Sequence, residues 1–70
     1  MERADCARIQ SYLRRTFNNN AIRVVERPKK KDSAEVYIGE EYLAIVHEDK
    51  EDGDTSYSLT MAILDIDLAE

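Results

Sequence analysis

The hydrophobic period of this chain changes once, at Asn18-Asn19-Asn20, and that change decides its fold class. Before it, Cys6, Ile9, Leu13 and Phe17 recur at three- and four-residue steps, with Tyr12 and Thr16 beside them. That spacing predicts one amphipathic helix over residues 3–17. Glu2 and Asp5 suit the positive end of a helix dipole, and Arg14 and Arg15 suit the negative end. Asparagine tolerates the left-handed conformation that closes many helices, so the Asn run is read as the stop.

After the Asn run the period is two. Ile22-Arg23-Val24-Val25-Glu26-Arg27 is rich in β-branched residues, and Pro28 ends it because proline has no N–H to give to a ladder. Ala34, Val36 and Ile38 alternate with Glu35 and Tyr37, as a strand with one wet face does. Gly39-Glu40 places glycine at the first central position of a type II′ hairpin turn. In that register Ile38 faces Glu41, Tyr37 faces Tyr42 and Val36 faces Leu43. Strands are expected near 22–27, 34–39, 42–48 and 56–65. On the last, Tyr57, Leu59, Met61 and Ile63 share one side, and Ser58, Thr60 and Ala62 take the other. Apolar residues then fall on even positions, Leu64, Ile66 and Leu68. Such a parity switch marks a bulge, a departure from the sheet, or a second packed face.

Short connections make sequential strands pair as a meander. The expected architecture is therefore α+β in two layers, a single domain over residues 1–70 with one helix on a four-stranded antiparallel sheet. Its expected core is Ile9, Leu13, Phe17, Ile22, Val24, Val36, Ile38, Leu43, Ile45, Leu59, Met61 and Ile63. Leu, Ile, Val and Phe number 16 of 70 residues. A domain of this size buries only about 60 % of its unfolded surface, so it gains from a partner.

No apolar run approaches the roughly 20 residues that cross a bilayer, and the charged start Met1-Glu2-Arg3-Ala4-Asp5 opens no signal-peptide segment. A single cysteine makes no intramolecular disulfide, which points to a reducing cytoplasm.

The segments Arg27-Pro28-Lys29-Lys30, Asp32-Ser33-Ala34-Glu35-Val36-Tyr37-Ile38-Gly39, Glu48-Asp49, Glu51-Asp52-Gly53-Asp54, Ser56-Tyr57 and Met61-Ala62-Ile63-Leu64-Asp65-Ile66-Asp67-Leu68 together resemble the bacterial domain of unknown function 3126 family. The resemblance spans about Ser11 to Leu68. It implies a short bacterial cytoplasmic protein of a kind found mostly in alphaproteobacteria. It carries over no catalytic or binding residue.

Charge divides the chain. Residues 1–31 hold nine of the ten Lys/Arg and three acids, a net of +6; residues 32–70 hold one Lys and twelve acids, a net of −11. The overall −5 makes a poor generic ligand for nucleic acid or anionic membrane. Arg14, Arg15, Arg23, Arg27, Lys29, Lys30 and Lys31 are nevertheless a candidate phosphate-binding group, if helix end and first hairpin loop converge. No aromatics interleave with them and no helix-turn-helix, zinc-finger or RRM signature is present.

The acidic loop 48–54 fails as an EF-hand. With Gly53 at position 6, Lys50 and Leu59 fall where ligands belong. Asp49, Asp52 and Asp54 leave a looser divalent-cation site as the alternative to a solvated turn. His47 has no nucleophile at a recognisable spacing and reads as a surface strand residue. Cys6 reads as a small buried hydrophobe, and one Cys with one His builds no closed zinc site. No cofactor and no catalytic residue is expected.

The remaining constellation is the sheet side away from the helix. The hairpin register sends Tyr37, Tyr42, Ala44, Val46, Thr60 and Ala62 there, with Leu64 nearby. That set is apolar for an uncovered face, and such patches mark interfaces in which tyrosine is favoured. Against this stands a tyrosine pair that only stabilises the hairpin. The sequence reading is a non-enzymatic cytoplasmic interaction module that binds a protein partner or its own copy through Tyr37, Tyr42, Ala44, Val46 and Ala62. The alternative is a nucleic-acid accessory factor using the basic loop.

Overall fold

The computed structural model describes residues 1–69. Helix α1 (Arg3–Phe17) is followed by β1 (Ile22–Arg27), β2 (Lys30–Ile38), β3 (Glu41–Asp49) and β4 (Ser56–Thr60). The strands form one antiparallel sheet in the order β1-β2-β3-β4, so the two-layer α+β meander is as expected. Short 3-10 turns lie at Glu51–Gly53 and Asp65–Leu68.

The ends of α1 follow from its sequence. The Glu2 N–H donates to Asp5 Oδ2 at 3.3 Å, supplying a partner to a backbone donor the first turn leaves open. Asn18 closes the helix at φ 51° and ψ 48°, its N–H bonded to the Arg14 carbonyl. The next residue locks the exit, with Asn19 Oδ1 accepting from the Ala21 N–H at 2.8 Å.

The helix sits against β1 and ties down that strand's unpaired side. Gln10 Oε1 accepts from the Val24 N–H at 3.0 Å, and Arg14 Nε donates to the Ile22 carbonyl at 2.7 Å. An open strand edge is a template for unwanted pairing, and here two of its backbone groups are already bonded. Among the described residues, neither α1 nor a side-chain bond covers the opposite edge, along β4, in this way.

The register of β2 and β3 departs from expectation after two pairs. Ile38 faces Glu41 and Tyr37 faces Tyr42, as the Gly39-Glu40 turn requires. Val36 then faces Ala44, so Leu43 is an extra residue in β3. This bulge reverses which side of β3 faces the helix. Ala44 and Val46, expected on the open face, are each only 2 % exposed in the core. Ile45, expected in the core, pairs with Glu35 and Thr60 on the open face and is half-buried.

The resulting core is Cys6, Leu13, Ile22, Val24, Ala34, Val36, Ala44 and Val46, with Met1, Ile9, Leu43 and Tyr57 packed against it. Its β2–β3 rows each pair one valine with one alanine: Val36 with Ala44, Ala34 with Val46. The expected register would have placed Leu43 and Ile45 there, a larger volume per row beneath the helix. Phe17, Ile38, Leu59, Met61 and Ile63 are also outside the core. Phe17 is the last residue of α1 and is exposed, and Met61 and Ile63 follow Thr60, where the chain leaves the sheet five residues earlier than expected.

Gly39 has φ +61° and stands in open space with room for a Cβ, so the turn requires its backbone conformation rather than its small size. Gly39→Ala is expected to destabilise the domain by about 1–2 kcal/mol. Melting followed by circular dichroism should fall by ~4–8 °C per kcal/mol. An unchanged melting temperature would show that the turn does not depend on that conformation.

Candidate interaction surface

Two apolar regions open to the surface. The first is a groove of about 460 Å³ on the helix side, lined by Arg8, Ile9, Tyr12 and Leu13 of α1 and by Val46, Tyr57 and Leu59 of the sheet. It exists because α1 lies against β1 and leaves β4 uncovered. Arg8, Tyr12 and Arg15 fall at i, i+4 and i+7 and so share one helix flank. Arg15 stands 5.8 Å from the Tyr12 ring centroid, which gives this flank of the groove a cationic border.

The second is the segment after β4. Met61, Ile63, Leu64, Ile66 and Leu68 are 50–76 % exposed. Ala62, Leu64 and Asp67 line a hollow of about 430 Å³ together with Tyr42, Leu43, Ala44, Ile45, His47 and Thr60. The segment therefore lies toward the open face, with the sheet between it and the groove. Asp67 Oδ2 accepts from the Leu64 N–H at 3.0 Å and shapes the final 3-10 turn.

The residues singled out by sequence separate accordingly. Tyr37 and Tyr42 do pair edge to face, with centroids 5.8 Å apart. The Tyr37 hydroxyl donates to Glu35 Oε1 at 3.0 Å, and Arg23 lies 5.0 Å from its ring. The hydrogen bond to Glu35 raises the Tyr37 pKa above its ordinary value, with smaller contributions from desolvation and the Glu35 charge. Tyr42 remains half exposed and Ala62 is exposed, whereas Ala44 and Val46 belong to the core. The proposed face is thus smaller than the sequence implied on β3 and is replaced by the exposed apolar segment 61–68. Sequence reasoning saw the parity switch at Leu64 but placed Met61 and Ile63 in the core.

The basic residues of the helix end and of the first hairpin do not meet, although Arg27 and Lys31 line one hollow. Arg14 bonds the carbonyl of Ile22 at the start of β1, while Arg27 stands at its end. Those two positions are about 17 Å apart along an extended strand. Three of the arginines also have local partners: Arg14 as above, Arg23 Nε donating to the Gly39 carbonyl at 2.9 Å, and Arg27 Nη1 donating to Ser33 Oγ at 3.1 Å. Lys29, Lys30 and Lys31 lie in the β1–β2 hairpin and are exposed.

Charge is also left unbalanced within the fold. The ion pairs among the described residues are Arg3–Glu26, Arg8–Asp5 and Lys50–Glu48. The first two lie within the basic first half and the third within the acidic second half. None joins one half to the other.

In the acidic loop, Asp49 Oδ1 accepts from the Glu51 N–H at 3.1 Å and starts the 3-10 turn, a local role for one of the three carboxylates considered. The side chain of Asp52 lies outside the described residues. Among the described residues no three His, Cys, Asp or Glu side chains gather as a metal site would require. His47 faces Ser33 and Ser58 across the open face. Cys6 is buried, and desolvation, followed by the Glu26 charge, pushes its thiol pKa up. The protonated thiol is the inert form.

Among the described residues, no helix is long and apolar enough to cross a membrane. The family described as Protein of unknown function (DUF3126) matches residues 5–67 of the chain. No curated protein and no solved structure matches it.

Proposed function

The chain belongs to the family Protein of unknown function (DUF3126), a description that assigns no activity, and we propose from that premise that it is a non-enzymatic bacterial interaction module acting in the cytoplasm. The observation that carries the reading is the exposure of Met61, Ile63, Leu64, Ile66 and Leu68 beyond the end of the sheet. Five large apolar side chains are exposed within eight residues, and exposed apolar patches mark interaction sites. Tyr42 and Ala62 extend this set onto the open face. Buried Cys6, the lone cysteine, suits a reducing compartment.

Affinity capture from the native cytoplasm tests the proposal with the wild-type chain and a Tyr42→Ser, Ile63→Asp double variant. Both sites are exposed, so the fold should survive, as circular dichroism will verify. Wild type should retain protein that the variant releases. Equal capture by both would reject this surface, and recovery of RNA or DNA by the wild type would favour the basic hairpin instead.

A further inference from the structure

We propose, building on that reading, that the partner is a second copy: segment 61–68 of each chain occupies the groove between α1 and β4 of the other. Each copy owns one groove and one segment, so a single two-fold axis satisfies both, as an isologous dimer requires.

Three observations converge on this occupant. The first is chemical fit. The groove is apolar along Ile9, Tyr12, Leu13, Val46, Tyr57 and Leu59, with Arg8 and Arg15 on its helix flank. The segment Leu64-Asp65-Ile66-Asp67-Leu68 alternates apolar and acidic residues and carries no cation. Its side chains offer apolar groups to the groove and carboxylates to the arginines.

The second is charge. The halves of the chain carry +6 and −11, and the ion pairs among the described residues leave that division intact. A reciprocal dimer brings the basic helix of one copy to the acidic segment of the other.

The third is geometry. The segment leaves β4 beside a hollow that it lines with Tyr42, Ile45, His47 and Thr60 of the open face, whereas the groove opens on the helix side. The sheet stands between a chain's own segment and its own groove. A neighbouring copy has no such obstacle, and it arrives at the β4 edge, the one that the helix leaves uncovered.

Sedimentation velocity of the full chain across micromolar to submillimolar concentrations gives the first test. A concentration-dependent dimer is expected, and Ile66→Asp should raise its dissociation constant by about tenfold or more. The decisive test mixes two variants, Arg8→Glu with Arg15→Glu, and Asp65→Lys with Asp67→Lys. These side chains are exposed, and circular dichroism will verify that each variant folds. Each alone should be monomeric, because both of its contacts place like charges together. Mixed, they should form a heterodimer in which both contacts are again complementary.

Failure of the mixture to dimerise overturns the proposal, as does a wild-type chain that stays monomeric throughout, or one that associates only with a different protein. The interaction reading fails separately, if hydrogen exchange of the monomer shows amides 61–68 protected because the segment has folded onto its own chain.

Discussion

Val46→Asp is expected to unfold the domain. Val46 is 2 % exposed, sits between Ala34 and Leu59 in the sheet, and faces the helix side. The core side chains around it are apolar apart from the Cys6 thiol, and Arg8, which lines the same groove, is exposed and already paired with Asp5. An unpaired buried charge costs several kcal/mol even after relaxation. Stability near 0.05–0.15 kcal/mol per residue leaves a chain of this length little to spare. Far-UV circular dichroism should show loss of the cooperative melt. Ile45→Lys is the matched control, one residue away on the open face opposite Glu35. Its aliphatic stem can lie along the sheet with the ammonium in water, so this variant should stay folded and melt within about 1 kcal/mol of wild type. The unbulged hairpin predicts the reverse ranking. A folded Val46→Asp beside an unfolded Ile45→Lys would therefore reject the bulge at Leu43.

Leu13→Ala should be nearly as damaging. Cys6 and Leu13 are the only residues of α1 that are buried, and Leu13 is the larger. Removing it deletes apolar contact and leaves a cavity where helix meets sheet, at a cost of about 2–5 kcal/mol. The denaturation midpoint should fall accordingly, with a loss of at least ~8 °C in melting temperature. Phe17→Ala removes a larger side chain from the same helix yet should change stability by no more than about 0.5 kcal/mol, because Phe17 is 59 % exposed. Equal losses from the two substitutions would mean that the end of the helix is packed after all.

The contrast between Leu13 and Phe17 shows how far periodicity reaches. The stripe Cys6, Ile9, Leu13, Phe17 specifies a helix and its inward face, because the 3.6-residue repeat is a property of the backbone. It carries no information about which of its positions the sheet covers, and Phe17 is left exposed. The Asn18 stop, the Gly39 turn and the β1 alternation are likewise local and are present where the sequence placed them, whereas β2 keeps Ala34 and Val36 inward but starts at Lys30, four residues earlier than expected, and leaves Ile38 exposed.

The inward face of β3 is not legible in this way. Tyr42-Leu43-Ala44-Ile45-Val46 is apolar at every position, so both parities offer a buried set and the alternation that fixes register is absent. Nothing local distinguishes Leu43 and Ile45 from Ala44 and Val46. The choice falls to the volume available beneath α1, where alternating valine and alanine rows fit and a bulge at Leu43 turns them inward. The same limit applies to the interaction surface. Sequence located apolar residues in excess of what one helix can cover and marked the parity switch at Leu64. The end of β4 at Thr60, the groove that α1 leaves open by lying against β1, and the sheet standing between that groove and segment 61–68 all arise from packing across elements distant in the chain, which no local pattern encodes.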